Sequence, residues 1–370
     1  MRARTVKIYR FLSFILSLAW VFVWATNAPS DDGSGSESLK RYEYSAEKMG
    51  VPVRVILYAA DEEQALAASN AVWKRFDELN ATLSDYDPES GIIQACRKSA
   101  ESGGFVEVSP DLRLALEESR KFCEWTGGAF DATVSPIVKL WRRSRYFHSR
   151  PPESALLSAK KLVGLDVWTI DERGVKTEPN VRFDVGGIAK GIALDEALKA
   201  AQNLGVKSVL VDASGDLRLG AAPPGKKGWK IGVASLNSEP ACYCELSDVG
   251  ICASGDANRY VEIDGVRYSH IIDPRTCEPL TRRCVASVLA PTATSADALA
   301  SALCVVGGEE FHGIVDRVSR ELGLENGAIE YLLLQASDDA EPPYTPESTS
   351  VFASPLFQEA LTGQTSCLSR

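Results

Sequence analysis

Hydrophobic positions along this chain switch repeatedly between a period of two and a period near 3.6. Residues 41–60 read as a strand pair: Arg41 to Ser45 alternates, Met49-Gly50 makes a bend, and Val51 to Tyr58 is rich in β-formers. Ala65, Ala68, Val72, Phe76 and Leu79 then recur at helical spacing, which predicts an amphipathic helix over 62–80. A turn-rich stretch, LSDYDPESG, occupies 83–91. Ser109-Pro110 opens a second helix running to about Thr126, closed by Gly127 and Gly128. A short helix is expected at 152–162, strands over 166–183 around a turn at Asp171 to Gly174, and a helix from Lys190 to near Gly205. Strands follow at 207–220 and 229–235. The clearest hairpin is 259–273, where Asp264-Gly265 sits between alternating runs. A strand at 284–290, helices from Thr294 and over 309–322, and a strand at 328–335 complete the body. Strands and helices mix without strict βαβ alternation, which favours an α+β fold over a doubly wound sheet.

The two ends read differently. Arg2, Arg4, Lys7 and Arg10 precede an uncharged, mostly apolar run from Phe11 to Ala25, a small-residue exit, and a Gly/Ser/Asp spacer. That is the grammar of a secretory signal, and the apolar run could equally serve as an uncleaved anchor. The expected organisation is therefore 1–28 as signal peptide or signal anchor, 29–40 as polar linker, 41–335 as one domain, and 336–370 as a C-terminal extension, partly loop. The expected location is exported and periplasmic, with attachment to the inner membrane left open. The formal net charge of −10 leaves no basic excess to neutralise nucleic-acid phosphates, so nucleic acid is a poor partner. Nine cysteines, none in a C-x-x-C pair, leave two readings. Either one or two disulfides form among Cys242, Cys244, Cys252, Cys277 and Cys284, or most of these are small buried hydrophobes.

The most informative stretch is VRFDVGGIAKGIALDE at 181–196. It reads as an apolar strand running into Asp184, then Gly186-Gly187, then Lys190-Gly191 opening a helix that carries Asp195. Glycines at such a junction let backbone approach a ligand closely, and Lys190 can meet a phosphate as a point charge. The spacing matches neither G-x-G-x-x-G nor G-x-x-x-x-G-K-[ST], so a phosphate-bearing ligand would be held in some other fold. Four further stretches carry chemistry. TGGAFDATVSPIVKLW at 126–141 could present Phe130 for stacking on a planar ring and Asp131 as an acceptor, or be a helix cap followed by a packed strand. Tyr86, in LSDYDPES, could stack on a ring or be an ordinary surface tyrosine. His270, in YSHIIDPRT, lies near a strand end where a general base of near-neutral pKa would suit, or where a structural histidine would sit. Thr294, Asp297 and Ser301 share one helical face; as hard oxygen donors they suit Mg²⁺ or Ca²⁺, and as helix-start residues they suit capping.

Together these stretches resemble the ApbE family of FAD:protein FMN transferases. Seven blocks occur in the family's order: Met49-Gly50; L-S-x-Y-x-P-x-S at 83–90; G-G-A-F-D-x-T-V-x-P at 127–136; D-x-G-G-I-A-K-G-x-x-x-D at 184–195; S-G at 254–255; Y-S-H-I-I-D-P-x-T at 268–276; and A-D-A-L-A at 296–300. The resemblance implies a single α+β domain, T-fold-like, with mixed and antiparallel sheets flanked by helices and a flavin cleft. It implies that Met49, Tyr86, Ala129, Phe130, Asp131, Asp184, Lys190 and Ile272 line the FAD site. It implies a Mg²⁺ site of Asp297, Ser301 and the backbone oxygen of Gly187. The reaction implied splits FAD, a substrate, so that FMN passes to a threonine or serine hydroxyl of a target flavoprotein and AMP leaves. His270 is the expected base, with Asp184 able to share that role. An FAD pyrophosphate hydrolase and a flavin-binding protein without turnover are the alternatives. Three positions depart from the family pattern: Ser301 stands for threonine, Thr294 for an additional acid found in some members, and Cys277 for a glycine.

Overall fold

Eight strands pair antiparallel in the order in which the chain makes them. In this computed structural model, which describes residues 39–256, 259–337 and 342–363, they are β1 (Lys40–Lys48), β2 (Val51–Ala59), β3 (Val209–Ala213), β4 (Asp216–Leu219), β5 (Gly250–Gly255), β6 (Cys284–Ala290), β7 (Glu330–Ala336) and β8 (Thr349–Ala353). Alternation gives the sheet two apolar faces. Val53, Val55 and Leu57 of β2, Val209 and Val211 of β3, and Ala286 and Val288 of β6 face one core. Ile56, Leu210, Leu289 and Leu332 face a second.

Helices cover the first face. They are α1 (Glu62–Leu83), α2 (Gly91–Ser102), α3 (Pro110–Trp125), α6 (Ala189–Gln202), α7 (Ala293–Val306) and α8 (Gly308–Glu321), while α4 (Ser135–Phe147) and α5 (Glu153–Lys160) stand apart from that face. Within that layer α6 packs between α1 and α7, while α7 lies on β5 and β6. Both α6 and α7 are small-residue helices, rich in alanine on their buried sides. Gly191 shows why: a Cβ there would stand 2.3 Å from the Ala293 carbonyl oxygen, so only glycine lets α6 close onto the start of α7. The second face is covered by a hairpin, Trp229–Gly232 with Tyr243–Leu246, and by α9 (Pro355–Thr362). A third, smaller core joins α4 and α5 to the hairpin Tyr260–Ile263 with Val266–Ser269; Ile137, Trp141, Tyr268 and Ile272 are its centre.

Several expected elements stand where the sequence places them. Met49 and Gly50 both have positive φ, +51° and +73°, and join β1 to β2 as a two-residue turn. Asp264 and Gly265 repeat that geometry at +52° and +76°. Other expectations need correction. Val181 to Asp184 forms no strand; the Asp184 N–H donates to the Ala132 carbonyl oxygen at 2.6 Å, so this run pairs with a loop and not with a sheet. The segment after Asp131 is helix α4 where a packed strand was weighed; its apolar residues Ile137 and Trp141 fall four apart on one buried face. The sheet also continues past 335: β8 pairs with β7 and α9 follows it, so the fold runs to about Thr362. All eight described cysteines are buried free thiols, the small-hydrophobe reading, because their strands and helices bury them singly or as hydrogen-bonded thiol pairs. The 1–28 segment and nearly all of the 29–40 linker lie outside the described residues. Among the described residues no helix is long and apolar enough to cross a membrane.

Candidate active site

The site is built on the loop between Asp184 and the start of α6. Gly187 lies within it, and a Cβ at that position would be 3.1 Å from Ser301 Oγ and 3.3 Å from Phe130 Cε2. Three separate stretches therefore meet at one residue without a side chain. Phe130 is buried and held from behind: its N–H donates to Thr126 Oγ1 at 3.1 Å. Ala129 is buried beside it. Ser301 shares a 3.2 Å hydroxyl contact with Ser254 of β5. Asp297, one turn before Ser301 on α7, accepts the Gly191 N–H at 2.9 Å. Burial drives the Asp297 carboxyl above its usual range, with Lys190 pulling the other way. The sequence thus delivers Asp297, Ser301, Gly187 and Lys190 to one place.

Lys190 is not a free cation. Its ammonium pairs with Asp216 of β4, whose other oxygen accepts the Ala253 N–H at 2.9 Å. Asp216 is 2% exposed, so this is a nearly buried acid that the sequence reading did not single out. Its signal was an aspartate inside the apolar run VLVDASGDLRL at 209–219.

Asp184 faces a second charged group. Arg142 of α4 lies 3.5 Å from Asp184 Oδ2 and 3.3 Å from Asp85 Oδ2, and its guanidinium covers the Tyr86 ring at 4.9 Å. Burial, reinforced by Asp85, raises the Asp184 carboxyl; the Gly186 N–H and Arg142 oppose the shift. Arg142 was also not foreseen. It ties the Tyr86 loop to the Asp184 loop, and Tyr86 itself is 75% exposed, open to a planar ligand.

His270 closes the hairpin that begins at Tyr260. Its N–H and ring Nδ1 both meet the Arg259 carbonyl oxygen, at 2.8 and 3.2 Å. Burial, then the charges of Arg145 and Arg259, push its pKa down to about 4. The near-neutral value expected from the sequence is thereby corrected: burial first, and the neighbouring arginine charges second, keep the imidazole a neutral base over the whole physiological range. Ile272, two residues on, is buried in the third core. Met49 is half-buried at its turn, packed against the first core.

Asp131 and Thr294 are turned to structural work. The Asp131 carboxylate accepts from the Thr133 N–H at 2.8 Å and Thr133 Oγ1 at 2.6 Å, bracing the loop that presents Phe130. Thr294 Oγ1 donates to Asp195 at 2.7 Å, and Asp195 also accepts the backbone N–H groups of Ala293 and Thr294. Arg218 completes this knot, 2.8 Å from Asp195.

The donor chemistry suits a hard divalent ion. Among the described residues no three His, Cys, Asp or Glu side chains converge as a metal cluster. One carboxylate, one hydroxyl and one carbonyl oxygen match Mg²⁺, which keeps waters and takes its remaining ligands from phosphates.

A flavin- and phosphate-binding α+β enzyme is the class that this fold and site define. The sequence profile of the ApbE family matches residues 49–323, and the chain belongs to that family. It is 30% identical over 287 residues to the FAD:protein FMN transferase of Vibrio cholerae serotype O1, covering 75% of this chain and 82% of that protein. A protein of the same name from Haemophilus influenzae is 27% identical, covering 74% and 79%. Among solved structures, the ApbE protein of Thermotoga maritima superposes with a TM-score of 0.73 at 27% identity, covering 87% of this chain and 99% of that one. The flavin transferase ApbE of Vibrio cholerae gives 0.71 at 25%, covering 87% and 100%. These likenesses bear out the expected α+β fold with its antiparallel sheet and flanking helices.

Proposed function

We propose that this chain is an FAD:protein FMN transferase that works at the Asp184–Lys190 loop with Mg²⁺. The observation that carries the reading is the meeting of Phe130, Gly187 and Ser301, with Asp297 one turn away. An aromatic face, a bare backbone and two oxygen donors there form a place for an isoalloxazine beside a diphosphate. Relatives named FAD:protein FMN transferase support it.

The reaction breaks the phosphoanhydride bond of FAD. A phosphorus–oxygen bond forms between the FMN phosphoryl group and a threonine or serine hydroxyl of the target flavoprotein, and the bridging oxygen leaves on AMP. The hydroxyl proton needs an acceptor. His270, neutral down to about pH 4, can take it, and Asp184 can share the role. Arg145, Arg259 and Lys190 surround His270 with positive charge that complements the diphosphate. Asp297, Ser301 and the Gly187 carbonyl would hold the magnesium ion, which supplies neutralisation of the charge that develops on the phosphates. Tyr86, Ala129 and Phe130 would border the flavin, with Met49 and Ile272 at its margins and Asp131 bracing Phe130. The basic-then-apolar pattern of residues 2–25 supports an exported, periplasmic site of action, attached to the inner membrane if that segment is retained.

Incubation with FAD, Mg²⁺ and an apo-flavoprotein acceptor tests this. Covalent FMN on the acceptor with stoichiometric AMP is expected. Free FMN and AMP without labelling would identify a hydrolase, and intact FAD a binding protein. Asp297→Asn, which keeps an acceptor for the Gly191 N–H but removes the charge, should lower the magnesium-dependent rate by about 100-fold or more. An unchanged rate would remove Asp297 from the metal site.

A further inference from the structure

Helix α4 carries Lys139, Arg142, Arg143 and Arg145 and no acidic residue, in a chain whose net charge is −10. Arg142 belongs to the site, through Asp184, Asp85 and Tyr86. Arg145 has no carboxylate partner among the described residues and stands with Arg259 beside His270. The next two residues are Tyr146 and Phe147, 81% and 68% exposed, with ring centroids 5.0 Å apart at 87°. Tyr146 follows Arg142 by four residues, so it lies on the face of α4 that reaches the site. The helix stops at once, at His148 with φ +47°, leaving both rings at its tip. Two large aromatics packed on each other in solvent contribute nothing to the three cores. Tyr, Phe and Arg in one contiguous patch are what protein interfaces concentrate.

We infer that the C-terminal turn of α4, with Tyr146 and Phe147 as anchors and Arg143 and Arg145 as charge partners, is where the acceptor flavoprotein docks, and that the docked segment is acidic. This rests on the transferase reading above and extends it to the second substrate. Continuity places the partner: α4 packs on the hairpin that His270 closes, and the Arg145 charge acts on that ring, where the acceptor hydroxyl must arrive. Charge gives its chemistry, since the helix presents only cations and the bound diphosphate would repel an acidic segment unless they screened it.

The experiment uses the full chain, FAD, Mg²⁺ and, as acceptor, an apo-flavoprotein that bears threonine-linked FMN in its mature form. FAD affinity is read from flavin fluorescence, and acceptor KM and kcat from labelling. The Tyr146→Ser, Phe147→Ser double variant should raise acceptor KM by about tenfold or more, with FAD affinity and kcat at wild-type values. Arg143→Glu should raise KM as well, and that increase should shrink as salt is added. A wild-type acceptor KM in the double variant overturns the docking surface, and a wild-type KM in Arg143→Glu overturns the acidic partner. Loss of binding to phosphatidylglycerol vesicles with acceptor KM unchanged would make the tip a lipid contact and overturn the inference. Failure of the wild-type chain to label the acceptor while still binding FAD overturns the transferase reading, and the docking surface with it.

Discussion

Gly187 and Ser301 approach so closely that a methyl group at position 187 would lie 3.1 Å from the serine hydroxyl oxygen. The same methyl would press on Phe130 at 3.3 Å. Gly187→Ala should therefore leave the fold intact, since the strain falls at a loop, yet displace the hydroxyl or the ring. We expect flavin transfer to fall by about tenfold or more, with the thermal midpoint nearly unchanged. Measuring the rate as a function of Mg²⁺ and of FAD separates a displaced Ser301 from a displaced Phe130. Wild-type dependence on both would mean the two neighbours yield freely and the packing has no catalytic meaning.

The depressed pKa of His270 fixes a pH profile. Its folded value is about 4 and the ordinary value is 6.5. Between these the unfolded chain binds a proton that the native chain refuses, so stability contributed here is full above about pH 6.5 and declines as pH falls towards 4. For the free enzyme, kcat/KM should hold down to about pH 4 before its acid limb. Bound diphosphate would offset Arg145 and Arg259, so the acid limb of kcat should lie higher. A kcat/KM limb at the usual imidazole value would show that burial and the two arginines do not act on this ring as the geometry implies.

Asp195 holds the start of α7 by accepting two backbone N–H groups and the Thr294 hydroxyl, with Arg218 alongside. Asp195→Ala would strand a nearly buried guanidinium and three donors. The cost should be about 3 kcal/mol, read as a lower denaturant midpoint at constant slope. Because Asp297 and Ser301, the proposed magnesium ligands, ride on the same helix, Mg²⁺ affinity should weaken too. A variant with wild-type stability would place the anchorage of α7 elsewhere.

Cys277 occupies φ +65° in the turn that follows Asp273, and the Trp141 indole donates to its carbonyl at 2.9 Å. The left-handed region costs a non-glycine residue about 1 kcal/mol, which the buried thiol roughly offsets. Cys277→Gly should thus change stability by less than about 1 kcal/mol, whereas Cys277→Val, branched at Cβ, should destabilise by about 2 kcal/mol. Equal effects of the two, by calorimetry, would deny that backbone geometry governs this position.

Strand pairs were legible wherever turn chemistry and alternation coincide, as at Met49-Gly50 in the main sheet and Asp264-Gly265 in the separate hairpin. The α7 face was legible because Asp297 and Ser301 are four apart and both polar within an alanine-rich helix. Arg142 and Asp216 were not, because each reaches its partner across a tertiary contact that no local spacing encodes: Arg142 joins Asp85 and Asp184 from α4, and Asp216 finds Lys190 from a strand. Val181 to Asp184 misled because an apolar run looks the same whether it enters a sheet or a core loop. β8 was missed because its residues are half-exposed on an edge, where alternation is weak.

Because neighbours in the sheet are neighbours in the chain, most of the residues proposed for the flavin arrive in a single excursion, 60–208, between β2 and β3, and the proposed metal ligands Asp297 and Ser301 in another, 291–329, between β6 and β7. Neither excursion interrupts the ladder of backbone bonds beneath it. The two act as exchangeable cassettes on a fixed chassis: grafting residues 60–208 from a relative would exchange the proposed nucleotide pocket and the proposed docking tip together, while Asp297 and Ser301 on α7 stay as they are.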